Sequence, residues 1–314
     1  MATFFDLQKQ NRRRTKYIIV GFVMFFIWLG AGLDLVLRYY YGLKLPPIGT
    51  IAVGVGGVIF TWQRMYTASE TVLSAMGAKR NSGHSLKQTT LQNVVDEMCI
   101  AASMPRPRVW IIQDMDPNAM ALGLEDEDYH IVVTEGLLKV LDRDELQGVI
   151  AHELAHLKNQ DTRLMTTLTV LIGFAALITD IVRHSRIFRS RDKFENGKIG
   201  VVILVIWLLS VLIAPLVTKL MALMVSRERE FLADVSSAQF TRNPEALARA
   251  LQKIAFSEAP TRLVHPSCAH LCIAAPDGSD LGLKAKTGWF ATHPPIITRI
   301  NRLMEIGRTG SVLD

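Results

Sequence analysis

Four stretches of this chain carry no charged residue: Tyr17–Leu33, Leu45–Trp62, Leu164–Thr179 and Ile199–Val217. A bilayer core takes about twenty apolar helical residues, with a range of roughly 17–25. The first, second and fourth stretches reach that length with their flanks, while Asp180 closes the third early. As core helices of a soluble protein they would have almost no polar face to turn to water. The sequence therefore predicts an integral membrane protein with about four transmembrane helices. A hydrophobic fraction of 49% and a mean hydropathy of +0.23 agree with that.

The formal charge of +6 would suit nucleic acid or an anionic membrane. Its placement favours the membrane. Lys9, Arg12, Arg13, Arg14 and Lys16 precede the first apolar stretch, and Arg183, Arg186, Arg189, Arg191, Lys193 and Lys198 lie between the last two. No base-reading motif accompanies them, so no nucleic-acid partner is expected. The basic leader puts the N-terminus in the cytoplasm, and two crossings return the chain there. No small-x-small cleavage site follows the first stretch, and Asp34 and Arg38 extend it as a retained anchor. The basic loop Arg183–Lys198 conflicts with the positive-inside rule if both later stretches span, which leaves full spanning and partial entry open.

These boundaries predict four parts: an N-terminal membrane hairpin (1–62), a first polar part (63–163), a second membrane hairpin (164–225) and a second polar part (226–314). Within the polar parts, a helix runs from about Arg64 to a break at Lys79–Ser85. Leu91–Ser103 reads as an amphipathic helix stopped by Pro105 and Pro107. Val109–Gln113, Asn118–Gly123 and Tyr129–Thr134 read as strands of a small sheet. Asp142 with Glu145 forms a capping-box pattern that starts a further helix. Ser226 onward, Pro244–Phe256 and Pro294–Ile306 read as helices, and Leu263–Lys286 as loop. The whole is an α+β protein, mainly helical with a small sheet.

On the helix begun at Asp142 stands His152-Glu153-Leu154-Ala155-His156. Histidines four apart share a helix face and can bind one cation, while the glutamate between them can reach a water beside it. Zinc suits such a set because it accepts nitrogen and oxygen ligands tetrahedrally. A catalytic zinc needs a third protein ligand, and Ser226-Arg-Glu-Arg-Glu230-Phe-Leu-Ala-Asp234 offers two carboxylates on one helix face. A continuous helix would put His156 about 12 Å from the third apolar stretch, so the metal is expected near the membrane interface. Cys268 and Cys272 stand close to His265 and His270, but their spacing matches no usual zinc template.

Several ordered motifs resemble the HtpX family of membrane-embedded zinc peptidases, relatives of the CAAX prenyl proteases. They are Pro117-Asn-Ala-Met-Ala-Leu-Gly123, Val132-Val-Thr-Glu-Gly-Leu-Leu138, the His152 motif with Asp161, Ser226-Arg with Glu230 and Asp234, and Thr292-His-Pro-Pro with Arg299. The resemblance runs over roughly Leu91 to Leu303. It implies one zinc per chain on His152, His156 and Glu230, with Glu153 as general base. It further implies that Asp161 and Asp234 support the ligands, and that His293 and Arg299 lie near the reacting carbonyl. Asn118, Ala119, Met120, Ala121, Leu122 and Gly123 would form an edge strand that aligns a substrate backbone. Met120 and Cys272 depart from the aromatic residues common at those positions, which bears on pocket shape. The implied activity is cleavage of unfolded or misfolded proteins, in stress response and quality control, at the cell inner membrane with the peptidase domain in the cytoplasm. Narrow CAAX-type processing and a non-catalytic zinc-bearing scaffold are the alternatives; an intact Glu153 speaks against the scaffold.

Overall fold

The computed structural model describes residues 4–41, 46–124, 126–166, 227–256, 271–274 and 294–309. Most of the third and fourth apolar stretches lies outside the described residues, as do Cys268, His265, His270 and His293.

The first two apolar stretches lie in helices α1 (Phe4–Tyr41) and α2 (Ile48–Tyr66). Asp34 joins them. Gly49 and Thr50 donate their backbone N–H groups to its carboxylate at 2.6 and 2.7 Å, and the Thr50 hydroxyl adds a third bond at 2.6 Å. An acid inside a largely apolar helix thus satisfies the open N-terminal donors of the next one. Gly30 makes the approach possible, because a Cβ there would lie 2.6 Å from the Gly49 carbonyl oxygen. Among the described residues no helix is long and apolar enough to cross a membrane.

Helix α2 and α1 from Arg13 onward belong to one compact unit; the described residues 4–12, 68 to 166 and from 227 onward belong to another. The second unit carries α3 (Ala68–Ala75), separate from α2, and a four-stranded mixed sheet. Its strands are β1 (Lys79–Arg80), β2 (Arg108–Ile112), β3 (Ala119–Leu122) and β4 (His130–Thr134). They lie in the order β1-β2-β4-β3, with β2 and β4 parallel and the other pairs antiparallel. Val109, Ile111, Ala119, Ala121, Ile131 and Val133 share the face that enters the core, as the two-residue period of a strand requires.

Helices α4 (Leu86–Ala102) and α6 (Arg143–Lys158) contribute to that core, with α5 (Glu135–Val140) between β4 and α6. Helix α4 starts five residues before the expected Leu91, because Ser85 caps it by accepting from the Gln88 N–H. Asp142 and Glu145 close the expected capping box reciprocally, each bond 2.9 Å. Three more helices, α7 (Arg227–Thr241), α8 (Pro244–Ala255) and α9 (Ile296–Thr309), complete the unit. Gly148 lets α6 and α8 meet backbone to backbone: a Cβ on it would sit 2.9 Å from the Leu247 Cα. Ser237 of α7 donates to the Gly148 carbonyl at 2.8 Å, and the Arg302 guanidinium of α9 lies over the Phe231 ring of α7 at 3.9 Å.

The stretch read as loop touches the sheet at one described place. Within that stretch, Met120 and Cys272 form an isolated antiparallel bridge, and the Ile273 N–H donates to the Ala119 carbonyl at 2.9 Å.

Candidate metal centre and active site

Helix α6 holds both histidines because its capping box fixes where the helix starts, and the 3.6-residue turn then stacks positions 152 and 156. Their rings stand edge-on with centroids 4.7 Å apart, and the two Nε2 atoms are 3.2 Å from each other. Glu230 enters from α7, with one carboxylate oxygen 3.7 Å from the His152 Nε2 and the other 3.6 Å from the His156 Nε2. One ligand atom from each of the three residues falls within 4.8 Å of the others.

The remaining nitrogen of each ring meets a carboxylate. Asp234 Oδ1 lies 3.0 Å from the His152 Nδ1, and Asp161 Oδ2 lies 3.2 Å from the His156 Nδ1. An Nδ1–H donated to a carboxylate leaves the Nε2 lone pair as the metal-binding one, so both rings aim that lone pair at Glu230. Asp234 is in turn gripped by Arg299, whose Nε and Nη2 donate to its two oxygens at 2.9 and 2.8 Å. The same guanidinium donates from Nη1 to the Ile273 carbonyl at 2.9 Å and stands 3.3 Å from a Glu230 oxygen. Burial alone would push the Asp234 carboxyl up, but Arg299 and His152 outweigh it and hold it below the ordinary range. For His152, complete burial and Arg299 oppose protonation; the bonds to Asp234 and Glu230 outweigh both and raise it.

Glu153 is buried beside His152 on α6. The centre thus gathers four buried carboxylates, Glu153, Asp161, Glu230 and Asp234, against two buried guanidinium groups, Arg229 and Arg299. The formal excess of two negative charges equals the charge of one divalent cation. Two imidazole nitrogens and one carboxylate, with a fourth position left for solvent or substrate, form a donor set that zinc accepts in hydrolytic sites.

Of the residues singled out in the sequence, His152, Glu153, His156, Asp161, Glu230, Asp234 and Arg299 come together. Ala119–Leu122 form β3, at the sheet edge and packed against α6. Asn118 immediately precedes it and donates its side-chain amide to the Ala274 carbonyl at 3.1 Å. Gly123 follows with φ +143, where any Cβ would strike the Asp128 carbonyl. Cys272 is buried against β3. Two residues escaped the sequence reading. Ile273 joins β3 to Arg299 through its own backbone, for which no side-chain signal exists. Arg229 is buried although it lies in a charge run; Arg227 to Glu230 puts charge on every side of a helix, so one face had to bury it.

The sequence has relatives. The model of Peptidase family M48 matches residues 85–306, and the chain belongs to that family: it is a metalloprotease, a hydrolase of peptide bonds. Among curated proteins, "Protease HtpX homolog" of Dictyoglomus turgidum is 38% identical over 317 residues, covering 99% of this chain and 98% of the relative. That of Thermoanaerobacter pseudethanolicus is 36% identical over 309 residues, covering 97% and 98%. These full-length matches make it an M48 protease of the HtpX type. Among solved structures, S. mikatae Ste24p is similar with a TM-score of 0.47 and 18% identity, covering 87% of this chain and 62% of that one.

Proposed function

We propose that the chain is a membrane-embedded zinc endopeptidase that cleaves unfolded or misfolded proteins, membrane proteins among them. The observation that carries this reading is the convergence of His152, His156 and Glu230 beside Glu153, with each histidine held through Nδ1 by a carboxylate. His152, His156 and Glu230 would hold the metal. Zinc bound there supplies a Lewis acid that polarises water and the scissile carbonyl. Glu153 takes the proton from the attacking water and carries it to the leaving amine. Arg299 acts chiefly through Asp234, keeping His152 oriented, and His293 is the proposed donor to the oxyanion.

The edge of β3 is the proposed substrate track, because added strands bind through backbone and tolerate many sequences. Cys272 and Ile273 take the Ala119–Met120 end of that edge, and the Gly123 N–H is donated to the Thr166 hydroxyl at 3.4 Å, so an incoming chain would pair chiefly at Ala121. Support for a bilayer comes from α1 and α2, which expose Val20, Met24, Trp28, Ile51, Val55 and Ile59, each more than half accessible. Apolar faces of that kind are stable in lipid and costly in water. The basic leader orients the peptidase part to the cytoplasm, at the cell inner membrane.

The test is purified protein in detergent with an unfolded membrane protein as substrate. Cleavage should stop with a zinc chelator and return with zinc, and E153Q should be inactive throughout. Chelator-resistant cleavage, or full activity of E153Q, refutes the mechanism.

A further inference from the structure

Resting on the reading of His156 as a metal ligand, we infer that Arg229 is a positioning residue of the metal centre that acts on His156 through Asp161. Two parallel relays run through the site. In the first, His152 is held by Asp234, and Asp234 is held by Arg299. In the second, Asp161 turns Oδ2 to the His156 Nδ1 at 3.2 Å and Oδ1 to the Arg229 Nη1 at 3.7 Å. Each carboxylate thus stands between an imidazole and a guanidinium, and all six side chains are buried.

The electrostatics give Arg229 its work. Asp161 lies in a pocket with an excess of carboxylates, and a buried acid among like charges turns away from them unless a cation fixes it. The Arg229 guanidinium supplies that cation, nearest the oxygen that does not face the imidazole. Asp161 can then keep its other oxygen on the Nδ1 atom, and His156 keeps Nε2 aimed at Glu230. Placement adds to this. Arg229 directly precedes the ligand Glu230 on α7, and Asp161 follows soon after α6. The pair therefore links the two segments that carry the three ligands, close to where the metal must draw them together. Outer partners of metal-binding histidines are typically worth 10–100-fold in metal affinity.

The experiment reads zinc affinity directly, by competition between the full-length protein in detergent and a fluorescent zinc chelator. R229Q should bind zinc about tenfold more weakly than the unaltered protein. D161N should lose at least as much, and the double variant should be no weaker than D161N alone, because the relay is already cut. R229K keeps a cation within reach of Asp161 and should recover most of the loss, which a packing role would not allow. R229M takes the place of R229Q if the glutamine variant does not fold. Unaltered zinc affinity in R229Q, losses that multiply in the double variant, or R229K binding no better than R229Q would overturn the proposal. H156Q separates the two readings: if it binds zinc normally, the ligand assignment fails, whereas a weakened H156Q beside a normal R229Q sinks only the relay.

Discussion

Replacing Gly148 by alanine tests whether the metal helix is located by its crossing with α8. The added methyl would sit 2.9 Å from both the Cα and N of Leu247 and 3.0 Å from its Cβ. Carbon atoms rest about 3.5–4.0 Å apart, so the two helices must part by roughly 0.6 Å. The obstacle is largely backbone, which cannot swing aside. Such overpacking costs about 1–3 kcal/mol, against which alanine returns about 0.8–1 kcal/mol of helix propensity. The net expectation is about 1 kcal/mol of destabilisation, or a melting temperature lower by roughly 2–4 °C. Gly307 on α9 is the control, since a methyl there meets only the side chain of Glu245, which can rotate away. G148A should also lower kcat, because His152 follows one turn later on the same helix and the Ser237 bond to the Gly148 carbonyl ties in α7. Thermal melts of both variants, with peptide turnover, decide the matter. G148A melting at or above the unaltered protein would refute the role given to this crossing.

Other expectations concern chemistry. E153Q should keep its zinc while turnover falls by at least ~10²-fold, and E230Q should lose zinc affinity and activity together, with excess zinc restoring part of the latter; metal content measured beside activity distinguishes them. A121P, which removes an edge-strand N–H, should weaken cleavage without releasing zinc, and unchanged turnover would exclude β3 as the track. Burial, with Asp96 adding to it, pushes the Cys99 thiol up to about 11. Its thiolate fraction at pH 8 is then about one in a thousand, so native labelling by iodoacetamide should be negligible there and climb tenfold per pH unit until near pH 11. Mass spectrometry of the Cys99 peptide reads this, and rapid labelling at pH 8 would contradict it.

What could be read in advance was mostly what is local. The capping box at Asp142, the histidine pair and the strand at Ala119–Leu122 are written in neighbouring residues. Glu230 and Asp234 were legible because a third ligand was chemically required and few acidic pairs were spaced to supply it. The start of α4 was missed because Leu86 is exposed and Lys87 and Gln88 break the apolar pattern, although Ser85 carried the signal. The antiparallel bridge at Cys272 was hidden since its partner Met120 is remote in sequence. Arg299 was recognised as part of the site, but its hold on the Ile273 carbonyl depends on a backbone that no pattern predicted. Arg229 shows the same limit: its neighbours announce a charged helix, while its burial depends on the ends of α6 and α7 meeting.

The charge balance of the centre leads to a last prediction, on what the metal does for the fold. Four buried carboxylates against two guanidinium groups are tolerable only if the excess is compensated, and hydrogen bonds alone do not remove it. A divalent cation at His152, His156 and Glu230 supplies the missing charge, so it should stabilise the folded state as well as serve the reaction. At free zinc about a thousand times its dissociation constant, linkage gives about 4 kcal/mol. At roughly 2–4 °C per kcal/mol, stripping the metal should lower the melting temperature by roughly 8–16 °C. E230Q adds a sign that simple loss of a ligand would not produce. It removes one carboxylate from the uncompensated set, so chelator-treated E230Q should melt no lower than the chelator-treated parent, while gaining little from added zinc. Differential scanning calorimetry in detergent, with and without chelator, measures both. A parent protein whose melting temperature ignores the chelator would show that this cluster is compensated without a metal.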